Sequence, residues 1–385
     1  MSGIVYLDNA ATTPVDPRVI EAMTSCLGPA GEFANPSSAH ALGVRAWRIV
    51  ERAREQIALR VNAAPERIVF TSGGTESNNL ALKGVLHARR GALLTTRIEH
   101  RSVLASAEAL AGEGFAVAYV GCDGDGLVAP ERVEAALTNA TALVSVMHVN
   151  NEIGAVEDIA AIARICRARG ALLHVDAAQS AGKVPIDIEG WGIDLCSLTA
   201  HKINGPKGIG ALYVRAGVGL APLLHGGDPA LAPRGGTLAT HQIAGMGQAY
   251  ELADPGVEGP RLAALRERLW AGLAGLEGVA RNGDPHRCAP HILSVTFRGV
   301  DGESLLLGVA DVAVSRGSAC ASTVPETSHV LSGIGLSDAL AQSTVRLSVG
   351  RFTSEAEIDY AVGRFAEELE RLRGLARSAP AWCSR

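Results

Sequence analysis

Between about residue 66 and residue 215, short apolar runs alternate with amphipathic ones, and this alternation restricts the fold more than any other feature of the chain. The runs "RIVF", "ALLTT", "FAVAYV", "TALVSVMHV", "ALLHVDAA" and "GIGALYV" are separated by "ESNNLALKGVLHARR", "SVLASAEALAGEG", "PERVEAALTN" and "VEDIAAIARICRARG". Strand-like runs with helix-patterned spacers predict an α/β domain, a mostly parallel sheet with helices on both faces. At 385 residues the chain exceeds what one hydrophobic core usually serves. Pro and Gly punctuate "ELADPGVEGPRL" (251–262), and the pattern changes there. Beyond it follow a helix ("LAALRERLWAGLAGL"), a strand ("HILSVTFRG"), another helix, a strand ("STVRLSVG") and the charged amphipathic helix "SEAEIDYAVGRFAEELERLRGLA". This is a smaller α+β domain.

Charge and composition exclude several function classes. A formal net charge of −5 and few aromatics (4%) lack the basic footprint and stacking platform of a nucleic-acid surface. No run approaches the ~18 apolar residues of a membrane span. The opening "MSGIVYLDNAATTP" has neither a basic n-region nor a long apolar h-region, so a cytoplasmic protein is expected. Seven cysteines, an odd number without framework spacing, read as reduced thiols. "HRCAPH" (His286, Cys288, His291) has a ligand-like look but no fourth ligand nearby; it reads as a loop leading into a strand, and no metal is expected.

Ligands of a parallel sheet bind at the carboxyl ends of its strands, so the residues after each apolar run carry the chemistry. "TSGGTESNN" (71–79) follows "RIVF": Gly73 and Gly74 allow a tight turn into a helix whose free N–H groups and Thr75 hydroxyl suit a phosphate, or merely form a capped glycine turn. His100 ends the next run as a cap, a structural ring or a catalytic base. "NNEIG" offers Asn151 for a carboxylate or a ring oxygen, or an ordinary Asn turn. Asp176 closes a strand buried on both faces, with Gln179 just beyond. A carboxylate there requires a cationic partner, which a protonated pyridine nitrogen supplies, unless it only caps a turn. In "DLCSLTAHKINGPKGIGALYV", Thr199, His201 and Lys202 share a loop bounded by glycines. Lys202 is one of four lysines among 35 basic residues. Where arginine carries nearly all the positive charge, a lysine in such a loop points to a deprotonatable amine, with a solvated surface lysine as the alternative. Phosphate cradle, ring partner, carboxylate and amine together make the set that pyridoxal 5′-phosphate requires.

Cys320 stands apart from the other cysteines, in "VSRGSACAST" (314–323), a run of small and hydroxylated residues that suits neither a core strand nor a helix cap. With "YLDNAATTP", "NPSSAH", "TSGGTESNN", "EHRSV", "HVNNEIG", "HVDAAQSAGK", "AHKINGPKGIGALYVR", "RGGTLATHQIAGMG", "SRGSACAS" and "RLSVGRFT", the chain resembles, over nearly its whole length, the cysteine desulfurases. These belong to the class V aminotransferase-like, fold-type I pyridoxal phosphate enzymes. The resemblance implies a large domain with a mostly parallel seven-stranded sheet between helices (16–252), an arm (1–15) joining the small domain, and a small domain (253–385) with the cysteine loop at about 316–325.

It also implies roles. Lys202 is then the Schiff-base lysine, Asp176 the partner of the pyridinium nitrogen and Gln179 that of the ring hydroxyl. His100 lies against the ring and transfers protons. Gly74, Thr75, Thr199 and His201 hold the phosphate, with Thr237 reaching across from the other subunit of a homodimer. Asn151, beside the cofactor, and Arg346 bind the substrate carboxylate. L-cysteine is the substrate, Cys320 takes its sulfur as a persulfide, L-alanine leaves, and a sulfur-acceptor protein receives the cargo. Small neighbours at Gly317, Ser318, Ala319, Ala321 and Ser322 give Cys320 the freedom to travel. Arg316, where the family has a small residue, is expected to favour the thiolate, with a solvated arginine as the rival. Asp228, Pro229 and Ala230 depart from the family's pattern, "RAGVGLAPLL" (215–224) lacks a basic cluster, and the tail "RSAPAWCSR" differs. Iron–sulfur assembly, tRNA thiolation, thiocofactor synthesis and DNA phosphorothioation all draw on similar enzymes, and surface docking decides among them. The rivals are another lyase or aminotransferase of this cofactor, such as a selenocysteine lyase, and a cofactor-free persulfide sulfurtransferase; the second has no use for Asp176, Gln179 and Lys202.

Overall fold

In the computed structural model, which describes residues 3–226, 233–316 and 327–378, the alternating stretch forms one seven-stranded sheet. In chain order the strands are β1 (Val5–Tyr6), β2 (Ile68–Thr71), β3 (Ala92–Thr96), β4 (Val117–Val120), β5 (Thr141–Met147), β6 (Leu172–Asp176), β7 (Leu195–Thr199), β8 (Gly210–Val214), β9 (Val279–Arg281), β10 (Ile292–Phe297), β11 (Val312–Ala313), β12 (Ser315–Arg316) and β13 (Thr344–Ser348). The large sheet has the order β2-β8-β7-β6-β5-β3-β4. Its β7-β6-β5-β3-β4 portion is parallel, and β8 runs antiparallel to both β2 and β7.

Every residue of β5, β6 and β7 is buried, as strands covered on both faces must be. Helices α1 (Pro17–Thr24), α2 (Ala41–Val61), α3 (Gly74–Arg89) and α4 (Arg101–Gly112) are introduced by local signals. Asp16 caps α1 ahead of Pro17, and His40 caps α2. One core gathers Ile57, Ile68, Val144, Val175 and Tyr250; a second gathers Leu80, Leu93, Leu143 and Leu212 on the opposite side of the sheet.

Beyond Asp254, which caps the helix Pro255–Ala274, a four-stranded antiparallel sheet runs β12-β13-β10-β9. Its core is separate: Leu262, Leu269, Val295 and Leu347 pack around Phe297 and Phe365, whose rings stack at 5.3 Å. The amino-terminal segment joins this second unit, because β1 pairs in parallel with β11 and Asp8 bridges to Ser348. It then crosses to the large sheet, where Thr13 N–H donates to the His201 carbonyl (2.9 Å) and Asn204 N–H to the Thr13 hydroxyl (2.7 Å). That crossing brings backbone carbonyls of residues 10 and 11 to the carboxyl ends of the strands.

Candidate active site

The carboxyl ends of β3, β5, β6 and β7 surround a cleft of about 440 Å³. Gly74, Thr75, His100, Asn151, Asp176, Gln179, Thr199, His201, Lys202 and Arg346 all line it, so ten residues scattered over 273 positions of sequence share one cavity. Thr237 is exposed and lies outside this lining. Cys320, with residues 317–322 around it, and Asp228–Ala230 lie outside the described residues.

Lys202 donates to the carbonyls of Ala10 and Ala11 (2.7 Å to the latter). Burial, with the cations Arg346 and Lys183 nearby, pushes its amine down to about 7, against the opposing pull of Asp8 and Asp176. Asp176 is 5% exposed and accepts from Asn78 Nδ2 (2.7 Å) and from the Ala178 N–H (3.0 Å). The Gln179 amide donates to the Ala10 carbonyl (2.8 Å) and contacts His291 Nε2 (3.3 Å). His201 contacts the Thr12 hydroxyl (3.2 Å), and burial, with Lys202 adjacent, lowers its ring to about 4. Arg346, 3% exposed, donates to the Asn151 carbonyl (2.8 Å) and to Asp8 Oδ1 (2.9 Å). His100 caps α4 by accepting from the Ser102 N–H, and its ring also lines the cleft. Desolvation by the surrounding protein holds its pKa below the ordinary histidine value, against the pull of Asp176.

Two observations test whether this cleft fits a phosphorylated pyridine. First, buried polar atoms on its wall have no hydrogen-bond partner among the described residues: Thr199 Oγ1, Arg346 Nε and Asn78 Oδ1. Thr199 Oγ1 and Arg346 Nε are anion-binding groups, and such orphans are rare unless a ligand completes them. Second, α3 begins in the wall at Gly74 with no side chain capping it, after Gly73 at φ 150°, a conformation that favours glycine. An open helix amino terminus beside a free threonine hydroxyl suits a phosphate. The residues therefore fit pyridoxal phosphate, with Lys202 as the amine and Asp176 as the carboxylate for a protonated ring nitrogen.

Sequence reasoning missed Asn78, Ser102, Ala10 and Ala11 in the wall and Asp8 behind it. Asn78 had a signal, since it lies one helical turn beyond Gly74 and so on the same face of α3. Ser102 follows His100 by two residues. Asp8, Ala10 and Ala11 had none, because only the tertiary crossing of the amino-terminal segment brings them in. The "HRCAPH" stretch does not converge: Cys288 Sγ accepts from Arg266 (2.8 Å) and Arg281 (3.1 Å), while His291 faces Gln179. Arg316 lies 3.9 Å from Glu303, an ion pair at the surface.

Residues 5–361 match the family Aminotransferase class-V. The chain is 51% identical over 386 residues to the cysteine desulfurase IscS of Ectopseudomonas mendocina, covering 98% of this chain and 95% of that one. Among solved structures, a NifS-like protein superposes with a TM-score of 0.88 at 36% identity, covering 96% of this chain and all of that one. SspA in complex with cysteine superposes with a TM-score of 0.81 at 37% identity, over 91% of this chain and 99% of that one. With a family match that spans most of its length and a cleft fitted to the cofactor, the chain belongs to the class V aminotransferases, as a pyridoxal phosphate-dependent enzyme of the cysteine desulfurase group.

Proposed function

We propose that this enzyme takes the sulfur of L-cysteine onto Cys320 as a persulfide, releases L-alanine and passes the sulfur to an acceptor protein. The observation that carries the reading is the meeting of Lys202, Asp176, His100, Thr199 and Arg346 in one cleft. Phosphate contacts fall to Gly74, Thr75, Thr199 and His201, and the ring to Asp176, Gln179 and His100. When bound, pyridoxal phosphate supplies an electron sink for the bond cleavages at the amino acid.

The chain's own groups do the rest. Arg346 and Asn151 hold the substrate carboxylate, which brings the Cα–H toward Lys202. An amine held near 7 by burial is available as the free base at neutral pH and takes that proton. His100 exchanges protons at the substrate sulfur and nitrogen. The Cys320 thiolate attacks the substrate sulfur: an S–S bond forms, the C–S bond breaks with its electron pair left on the three-carbon fragment, and protonation there gives alanine.

The reading divides the chain into the arm 1–15, a large domain 16–252 and a small domain 253–385. It also includes a second copy of the chain. Ile20, Leu27, Phe33, Leu42, Val44 and Trp47, all on or between α1 and α2, are large exposed apolar side chains within one stretch of sequence, a concentration that favours a protein contact. Thr237, exposed and outside its own cleft, then completes the partner's phosphate site. No helix among the described residues is long and apolar enough to cross a membrane.

The test mixes purified protein with L-cysteine and a thiol reductant and measures sulfide and alanine together. Equal sulfide and alanine are expected from wild type, and neither from Cys320→Ala, which keeps its cofactor absorbance. A fully active Cys320→Ala, or pyruvate in place of alanine, overturns the reading.

A further inference from the structure

Asn78 is almost wholly buried, 1% exposed, and lines the cleft. Its Nδ2 lies 2.7 Å from Asp176 Oδ2 and 2.8 Å from Ser102 Oγ. The amide orientation is forced, because an ionised carboxylate only accepts, so the NH₂ group must face Asp176. Both amide hydrogens are thereby used, one on Asp176 and one on Ser102. The Ser102 hydroxyl, already accepting from Asn78, has its own hydrogen to give, and His100 Nδ1 lies 2.8 Å away. The Ser102 backbone N–H points at the same nitrogen from 3.2 Å. Two donors on one ring nitrogen leave it as the lone-pair atom.

We propose that Asn78 and Ser102 are positioning residues that form a hydrogen-bond relay from Asp176 to His100 and fix the His100 imidazole with its proton on Nε2. The inference rests on the reading of His100 as the proton-transfer group of the cleft, and it deepens that reading by saying which nitrogen carries the proton. The relay spans three elements: Asn78 on α3, Asp176 at the end of β6, and Ser102 on α4 next to the cap it helps form. Its direction runs from amide to hydroxyl to ring, so placing a second proton on Nδ1 requires Ser102 to turn its hydroxyl away and strands its N–H. The relay therefore resists the doubly protonated ring. The charged and titratable groups acting on His100 are Asp176 from β6, Lys202 from the loop after β7, and His329 from the helix His329–Gly333. His329 is itself tied by Nε2 to the Glu99 carbonyl (2.9 Å). Asn78 Oδ1 has no hydrogen-bond partner among the described residues, consistent with an amide turned to place both its hydrogens on Asp176 and Ser102.

The experiment uses the holoenzyme labelled with ¹⁵N-histidine, and the His100 signals are assigned by their loss in His100→Gln. A pyridine-like Nδ1 and a pyrrole-like Nε2 are expected at neutral pH. Ser102→Ala removes the hydroxyl donor, so the His100 protonation equilibrium rises by up to about tenfold, the worth of one hydrogen bond. The acid limb of the desulfuration profile moves up with it, kcat falls and KM for cysteine stays. Ser102→Thr, which keeps the hydroxyl, restores the wild-type tautomer and profile. A protonated Nδ1 in wild type, or a Ser102→Ala protein with unchanged ring signals and profile, overturns the relay. The nitrogen signals report on the ring whether or not cysteine is a substrate, so failure of the desulfurase reading leaves this test intact and separately readable.

Discussion

The ion pair between Asp8 and Arg346 gives the sharpest quantitative test. Arg346 has 4% of its side chain exposed and Asp8 19%, and their contact is 2.9 Å. Among the described residues, apart from Asp8, the guanidinium has one bond, to the Asn151 carbonyl, and a buried Nε without a partner. Asp8→Ala therefore leaves a buried cation without its counter-charge. Breaking a buried pair from one side costs about 3–5 kcal/mol, and because Asp8 keeps some solvent contact the lower end applies, about 3 kcal/mol. Asp8→Asn keeps an acceptor and loses less. The loss is read from urea unfolding as a lower midpoint. The vacated guanidinium also becomes a stronger anion site, so acetate stabilises Asp8→Ala while wild type hardly responds. Removing Asp8 also deletes a charge that opposes the depression of Lys202, so that amine titrates still lower. A loss below about 1 kcal/mol, the scale of a surface pair, or a variant indifferent to acetate, would refute the picture of Asp8 as the resident carboxylate on Arg346.

Other perturbations probe different parts of the same cleft. Gly210 of β8 faces the glycine turn: a Cβ there meets Gly73 Cα and C and the Leu198 carbonyl, each at 2.7 Å. Gly210→Ala should cost about 1–3 kcal/mol by overpacking and weaken phosphate retention; equilibrium dialysis against pyridoxal phosphate checks the second effect, and unaltered retention counts against the assigned cradle. Burial pushes the Glu99 carboxyl up to about 8, so it is protonated in the folded protein at neutral pH. Its contribution to stability is full below the unfolded value near 4.5 and is lost as pH rises through about 8. Glu99→Gln, which keeps the acceptor for Thr96 and the Met147 N–H, should flatten that decline in thermal midpoint between about pH 5 and pH 8, and an unchanged slope would show that other groups cause it. Because the Lys202 amine is depressed to about 7 rather than lying near 10.5, the rate at which apoprotein takes up pyridoxal phosphate should level off above about pH 8. A rate still climbing toward pH 10 would mean an ordinary, solvated lysine.

How far the sequence reveals such a site depends on where each residue gets its position. Asp176 and Thr199 end buried strands, and His100 and Asn151 follow buried strands closely, so the apolar run that builds the strand also fixes the residue at the sheet's carboxyl edge. Lys202 stands out through composition, one of four lysines in a chain whose positive charge is nearly all arginine. The antiparallel placement of β8 between β2 and β7 had no such signal, because "GIGALYV" reads as one more buried strand and nothing in its apolar character encodes direction. Gly210 on β8 touches Gly73 because of that reversal, and the packing of the phosphate turn is a tertiary fact.

The amino-terminal segment shows the same limit from the other side. "YLDNAATTP" has no strand or helix period that would place it in a core, yet Asp8 neutralises Arg346 from 338 positions away, and the carbonyls of Ala10 and Ala11 hold the Lys202 amine. Backbone carbonyls carry no residue-type signature, so no reading of side chains could have assigned them. They also give Lys202 acceptors while it is unmodified, which lets a buried amine persist without a carboxylate directly upon it. A carboxylate in that place would raise the amine toward its ordinary value and hold it protonated; carbonyl dipoles satisfy its hydrogens and leave burial and Arg346 to keep it near 7. The small side chains at positions 10 and 11 follow from that task, since the contact is made by the main chain and anything bulkier would fill the cleft that Ala10 and Ala11 line.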